Sequence, residues 1–159
     1  LELPSDFQFP HLIIPIDSSS PAIAAGTSYF GQISGTISSI FNFDIPSSYS
    51  GQQCILWFLF PTQEQLTTSS FTLSGSGAAD FLSLSSVASQ STDFSNAPGV
   101  AADLGQLSLA PGNAYKIATF ACPSGKAVSF EIKAVGNTAL KYFQDFNECP
   151  IGLYITPSN

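Results

Sequence analysis

One histidine, three cysteines and a scatter of single carboxylates are the residues of this chain that could do chemistry. As a general base, His11 would need a nucleophile within hydrogen-bond reach and a carboxylate to orient its ring. No serine sits in a Gly-X-Ser-X-Gly turn, so the lone histidine reads as a hydrogen-bonded edge residue rather than a catalyst. The Asp and Glu residues stand apart, and no spacing nominates an acid and base pair of glycosidase type. Calcium loops need dense Asp and Asn ligands, a pattern this chain lacks. The expectation is a non-enzymatic protein with no catalytic residue, no metal and no cofactor.

The thiols are Cys54, Cys122 and Cys149, too far apart for a zinc ribbon or a redox pair. At most one intramolecular bridge can form, leaving an odd thiol. Cys54 and Cys122 each end a predicted strand and are the favoured pair. Cys122 with Cys149 is the rival, and no bridge at all is the third reading. A Cys54–Cys122 bridge would stabilise by about 4 kcal/mol through the loop it closes.

Polar side chains offer a different chemistry, the binding of a sugar or an ion. Asn42 and Asp44 share one face of a predicted strand, and Asp145 and Asn147 are spaced alike in "FQDFNECP". Asn and Asp also cap turns, which is the commoner use. Tyr29, Tyr49 and Tyr154 could stack on a ligand or pack with the hydroxyl satisfied. The candidate ligand-binding set is Asn42, Asp44, Asp145, Asn147 and Tyr154.

These residues must be positioned by strands. Turn signals recur along the whole chain, and the runs between them alternate apolar and polar residues. In "VSFEIKA", Val128, Phe130, Ile132 and Ala134 point one way, leaving Ser129, Glu131 and Lys133 on a wet face. In "SSIFNFDIP", Phe41, Phe43 and Ile45 alternate with Asn42 and Asp44. Further strands are expected in "HLIIPI", "FTLSG", "ADFLSL", "GQLSLAPG", "AYKIATFAC", "LKYFQDF" and "IGLYI". "APGN" and "PSGK" read as hairpin turns, and "SVASQSTDFSNAPG" as a long surface loop.

The run "QCILWFLFP" carries no charge but is far too short to cross a membrane as a helix. It reads as a central strand, with Cys54, Leu56, Phe58 and Phe60 on one face and Ile55, Trp57 and Leu59 on the other, both covered. The fold class is all-β: an antiparallel two-sheet β-sandwich, jelly-roll-like, of about nine or ten strands with little helix. The 159 residues are expected to form one domain over 1–159.

Composition narrows the partners. Four lysines, no arginine and eleven carboxylates give a net charge of −7, which opposes nucleic acid and anionic membrane surfaces. Only 9% of residues are charged, so Ser, Thr, Asn and Gln must supply the polar surface, as in many secreted chains. The start "LELPSDFQFP" is unlike a signal peptide, so the chain is expected to be either cytosolic or already processed, and its low charge and abundant Ser and Thr favour the secreted, mature form.

The collinear order of "HLIIPIDSSSP", "GQISGTISSIFNFDIP", "CILWFLFP", "FTLSGSG", "LAPGNAYKIATFACPSGKAVSFEI" and "LKYFQDFNECPIGLYI" resembles the fungal But2 C-terminal domain family, over about residues 11–155. The resemblance implies a β-rich fungal domain, commonly secreted and associated with cell surfaces, and carries over no catalytic residue. It further implies that the position of Cys149 is often not cysteine, which favours Cys54 with Cys122. The family takes its name from a yeast protein that binds the catalytic subunit of a ubiquitin-like activating enzyme. Such an intracellular role fits poorly with a secreted chain, so no ubiquitin-pathway activity is assigned from it.

The expected function is structural or adhesive, at the cell wall or outside the cell, with cell-wall polysaccharide or another surface protein as partner. A carbohydrate-binding module or lectin is the alternative. A protein-interaction domain or host-directed effector is the further one.

Overall fold

Short runs of β-branched and aromatic residues, cut by Gly, Pro and Asn, fold into eleven strands in the computed structural model, which describes residues 3–147 and 149–158. They are β1 (Leu12–Asp17), β2 (Phe30–Ile33), β3 (Ile37–Asp44), β4 (Gln53–Phe60), β5 (Phe71–Ser74), β6 (Ala78–Leu84), β7 (Val100–Ser108), β8 (Asn113–Ala121), β9 (Ala127–Ala134), β10 (Ala139–Phe143) and β11 (Gly152–Ser158). The only helical pieces among the described residues are single 3-10 turns at Ser47–Tyr49 and Gln63–Gln65.

The fold is all-β and sandwich-like, but it has three antiparallel sheets where two were expected. A five-stranded sheet runs β1-β3-β9-β6-β7, and two three-stranded sheets run β2-β10-β5 and β11-β4-β8. The main core joins all three through Phe41 and Phe43 of β3, Leu56, Phe58 and Phe60 of β4, Phe81 of β6 and Tyr142 of β10. Phe58 lies at its centre, edge-on to Phe60 and Tyr142, with ring centroids 5.8 and 5.5 Å away. Such aromatic pairs add attraction beyond the area they bury.

The expected hairpins at "APGN" and "PSGK" are turns of another kind. Gly112 and Gly125 do adopt the left-handed φ that such turns require (+91° and +74°). The first carries the chain from β7 to β8 and the second from β8 to β9, each time into a different sheet. The extra strand beyond the expected ten is β2, whose four residues "FGQI" were too few to show a pattern.

Strand β4 is central, between β11 and β8, as its apolar run predicts. Cys54, Leu56, Phe58 and Phe60 are completely buried. On the other face only Leu59 is fully buried, while Ile55 and Trp57 are partly buried. The Trp57 indole N–H donates to Thr156 Oγ1 at 3.0 Å, and Lys116 Nζ lies 5.8 Å from the ring centre. The expectation that both faces of this strand are covered is therefore corrected.

The long loop covers a different sheet. Residues 85–99 fold back over the outer face of the five-stranded sheet, where Ala88 joins Ile14, Ile16, Ile40, Leu82 and Leu84 in a second apolar cluster. The expected wet face of β9 is accordingly dry in part: Ser129 and Glu131 are buried, and Glu131 Oε2 accepts from Ser38 Oγ at 2.6 Å. Buried polar groups must be paired in this way or cost stability.

Candidate functional site

The cleft begins with the segment before β1. Gln8 exchanges both backbone hydrogen bonds with Ile155 (2.8 and 3.0 Å), extending the sheet of β11 by one short rung. Tyr49 fastens the segment further: its hydroxyl donates to Asp6 Oδ1 at 2.8 Å and accepts from Gln8 Nε2 at 3.2 Å. Side chains alternate along an extended chain, so Phe7 and Phe9 fall on one face. Phe7 meets the Tyr154 ring edge-on at 6.0 Å, and Phe9 stacks on Phe146 at 4.9 Å.

Beside this aromatic wall lies a cleft of about 630 Å³. The stacked Phe9 and Phe146, with His11, Thr27, Ser28 and Tyr29, line it, and the buried Ile13 and Tyr154, with Gln144, form its floor. Gln90 reaches in from the long loop. Tyr29 is 78% exposed, and Phe9 and Phe146 are each about half exposed (48% and 49%). Large aromatic rings are thus held open to water beside amide side chains, outside the packed core. The volume lies within the usual range of small-molecule and side-chain pockets.

The sequence-predicted residues divide between this cleft and other places. Tyr154 lies in the floor, buried, with its hydroxyl directed at the carbonyls of Asp145 and Ile151. Burial, and secondly the Asp145 charge, push the pKa of its hydroxyl well above the ordinary tyrosine value. Asp145 and Asn147 are brought together but bind each other's neighbourhood: Thr68 Oγ1 donates to Asp145 Oδ2 and accepts from Asn147 Nδ2, and the Asn147 N–H donates to Asp145 Oδ1. They set the turn that presents Phe146.

Asp44 is exposed, and its Oδ2 lies 3.1 Å from His11 Nδ1. Asn42 is elsewhere and buried. Its amide donates to Ala88 O (2.7 Å) and its Oδ1 accepts from Ala88 N (3.1 Å) and Ser129 Oγ (2.9 Å). Every polar atom of that side chain is spent on holding the long loop.

Cys54 and Cys122 are bonded, across Cα atoms 5.0 Å apart and a sequence separation of 68. Cys149 is free, half-buried, and has a left-handed φ of +56°. Among the described residues no hydroxyl or thiol is hydrogen-bonded to His11, and no three His, Cys, Asp or Glu side chains converge as a metal site requires. No helix of the described residues is long and apolar enough to cross a membrane.

Sequence reasoning did not single out Phe9, Phe146, Gln90 and Gln144. The signal for Phe9 was present in the alternation of "FQFPH". Phe146 gave none, because its exposure depends on the turn that Asp145, Asn147 and Thr68 close.

A family model described as the ubiquitin 3 binding protein But2 C-terminal domain covers residues 8–148, from the Gln8 rung past β10. No curated protein matches the chain.

Proposed function

The chain belongs to the But2 C-terminal domain family, and from that premise we propose that it is a non-enzymatic recognition domain of a secreted or wall-associated fungal protein, gripping a surface partner through the aromatic cleft. The observation that carries this reading is the exposed trio of Phe9, Tyr29 and Phe146 around the cleft. Rigid aromatic side chains lose little entropy on binding and dominate recognition surfaces. The family description, a ubiquitin 3 binding protein, makes another protein the first class of partner.

The extracellular placement is supported by the Cys54–Cys122 bridge, since disulfides persist in oxidising compartments and are rare in the cytosol. Sparse charge and a Ser/Thr-rich surface point the same way. The role at the surface is structural or adhesive. A hydrolytic role would need a nucleophile or a second acid beside His11 and Asp44.

One observation favours a second reading. The cleft sets aromatic rings beside the amides and hydroxyls of Gln90, Thr27 and Ser28, a combination that also suits a neutral sugar. Labelled protein incubated with isolated fungal walls, before and after protease treatment of the walls, separates the two. Retention lost with protease supports a protein partner. Retention that survives protease and is competed by soluble glucan or chitin fragments transfers the site to carbohydrate. No retention on untreated walls defeats the proposal.

A further inference from the structure

A second surface lies at the far end of the five-stranded sheet from β1, the strand next to the cleft. There β7 is the terminal strand, nine residues long, paired only with β6 along its length. Its side chains are exposed except for half-buried Leu104 and Leu107. A free edge presents a row of unpaired backbone N–H and C=O groups, which only another extended backbone can satisfy in full.

The other edges of this protein are guarded. Pro15 sits in the middle of β1, opposite Ser39. Gln8 occupies one rung of β11 at Ile155 and Pro157 interrupts its edge, Lys116 projects from β8, and β2 and β5 are only four residues each. Strand β7 has neither Pro nor Lys. Of its two bulges, the one opposite Phe81 and Leu82, pinned by the Gly105 N–H donating to Asp103 Oδ1 at 2.9 Å, sets Asp103 opposite outward-facing Leu82. Bulges re-aim side chains in this way.

Asp103 thereby shares the outer face with Asp80 of β6. Asp80 Oδ1 is buried without a hydrogen-bond partner, and Asp80 titrates above its ordinary value, through burial first and the Asp103 carboxylate second. The charges facing the pair from β9 are Lys133, opposite Asp80, and Glu131, opposite Leu82. Two carboxylates beside one lysine leave the rim of the free edge negative on a chain already at −7.

We propose that β7 is a docking edge for an extended partner segment bearing lysine or arginine, which joins the five-stranded sheet as a further strand and sets a cation against Asp103 and Asp80. Backbone pairing supplies the grip and cross-strand charge pairing supplies the selectivity. The net negative charge of the chain opposes a second copy as the occupant. This docking is independent of the aromatic cleft.

The test uses the whole protein and a fluorescein-labelled peptide of alternating threonine and lysine, matched in length to β7. Fluorescence anisotropy should show it binding at least about tenfold more tightly than its threonine and glutamate counterpart. N-methylation of alternate peptide amides, made in both alternations, should abolish binding in the alternation that blocks pairing. The double variant Asp80→Asn, Asp103→Asn should lose the lysine preference while melting no lower than the parent. Bound peptide should slow amide exchange in Val100–Ser108, and Tyr29→Ala should change none of this. Equal binding of the two peptides, indifference to both N-methylation patterns, or protection confined to other segments would overturn the proposal.

Discussion

Phe58 and Trp57 are adjacent in β4 and live in opposite surroundings. Phe58 has no exposed surface and touches three aromatic neighbours, Phe60, Phe81 and Tyr142. Phe58→Ala should cost about 3 to 5 kcal/mol, because it forfeits transfer energy and leaves a cavity. Trp57→Ala should cost less, roughly 2 kcal/mol, since its ring is only partly buried and its site opens to solvent. Urea unfolding of the two variants checks the order, and equal losses would contradict it. The cysteines give a chemical counterpart: alkylation of the unreduced, denatured chain should label Cys149 alone, with Cys54 and Cys122 reacting only after reduction. Peptide mapping by mass spectrometry reads this directly. The pairing was the favoured sequence reading because both cysteines end strands. The uneven cover on β4 was not legible, because an apolar run does not reveal which face a second layer leaves open.

At the scale of elements, the long loop and the edge strand each answer to a polar side chain. Asn42→Ala removes three hydrogen bonds and orphans the Ala88 amide and the Ser129 hydroxyl. The expected cost is about 1 to 3 kcal/mol, with faster amide exchange across residues 85–99 and little change in the main core. Asp80 acts with the opposite sign. Its raised folded pKa means that the folded state holds the proton more tightly than the unfolded chain, so the ionised form costs stability at neutral pH. That cost fades as pH falls through the folded value and is gone below the ordinary aspartate value of 3.8. Asp80→Asn should therefore stabilise near neutral pH, by no more than about 0.5 kcal/mol after solvent screening, and change nothing near pH 3. Thermal melts at both pH values check this. Ten strands could be read from their alternation, whereas the dryness of Ser129, Glu131 and Asn42 could not. Whether a polar face meets water depends on where a distant loop returns, which "VSFEIKA" does not encode.

At the scale of the molecule, β6 and β7 are the only consecutive strands hydrogen-bonded to each other among the described residues. Every other pairing joins strands distant in sequence, and this is what gathers Phe9, Tyr29 and Phe146 at one place. Sequence indicated the class of fold and named Tyr29, Tyr49 and Tyr154 as stacking candidates, while the gathering at one cleft is a product of topology. The central claim is that these exposed rings recognise a surface partner. Retention on untreated fungal walls should fall at least about tenfold for the double variant Tyr29→Ala, Phe146→Ala, with its melting temperature kept close to that of the parent. Undiminished retention by that folded variant would contradict the account.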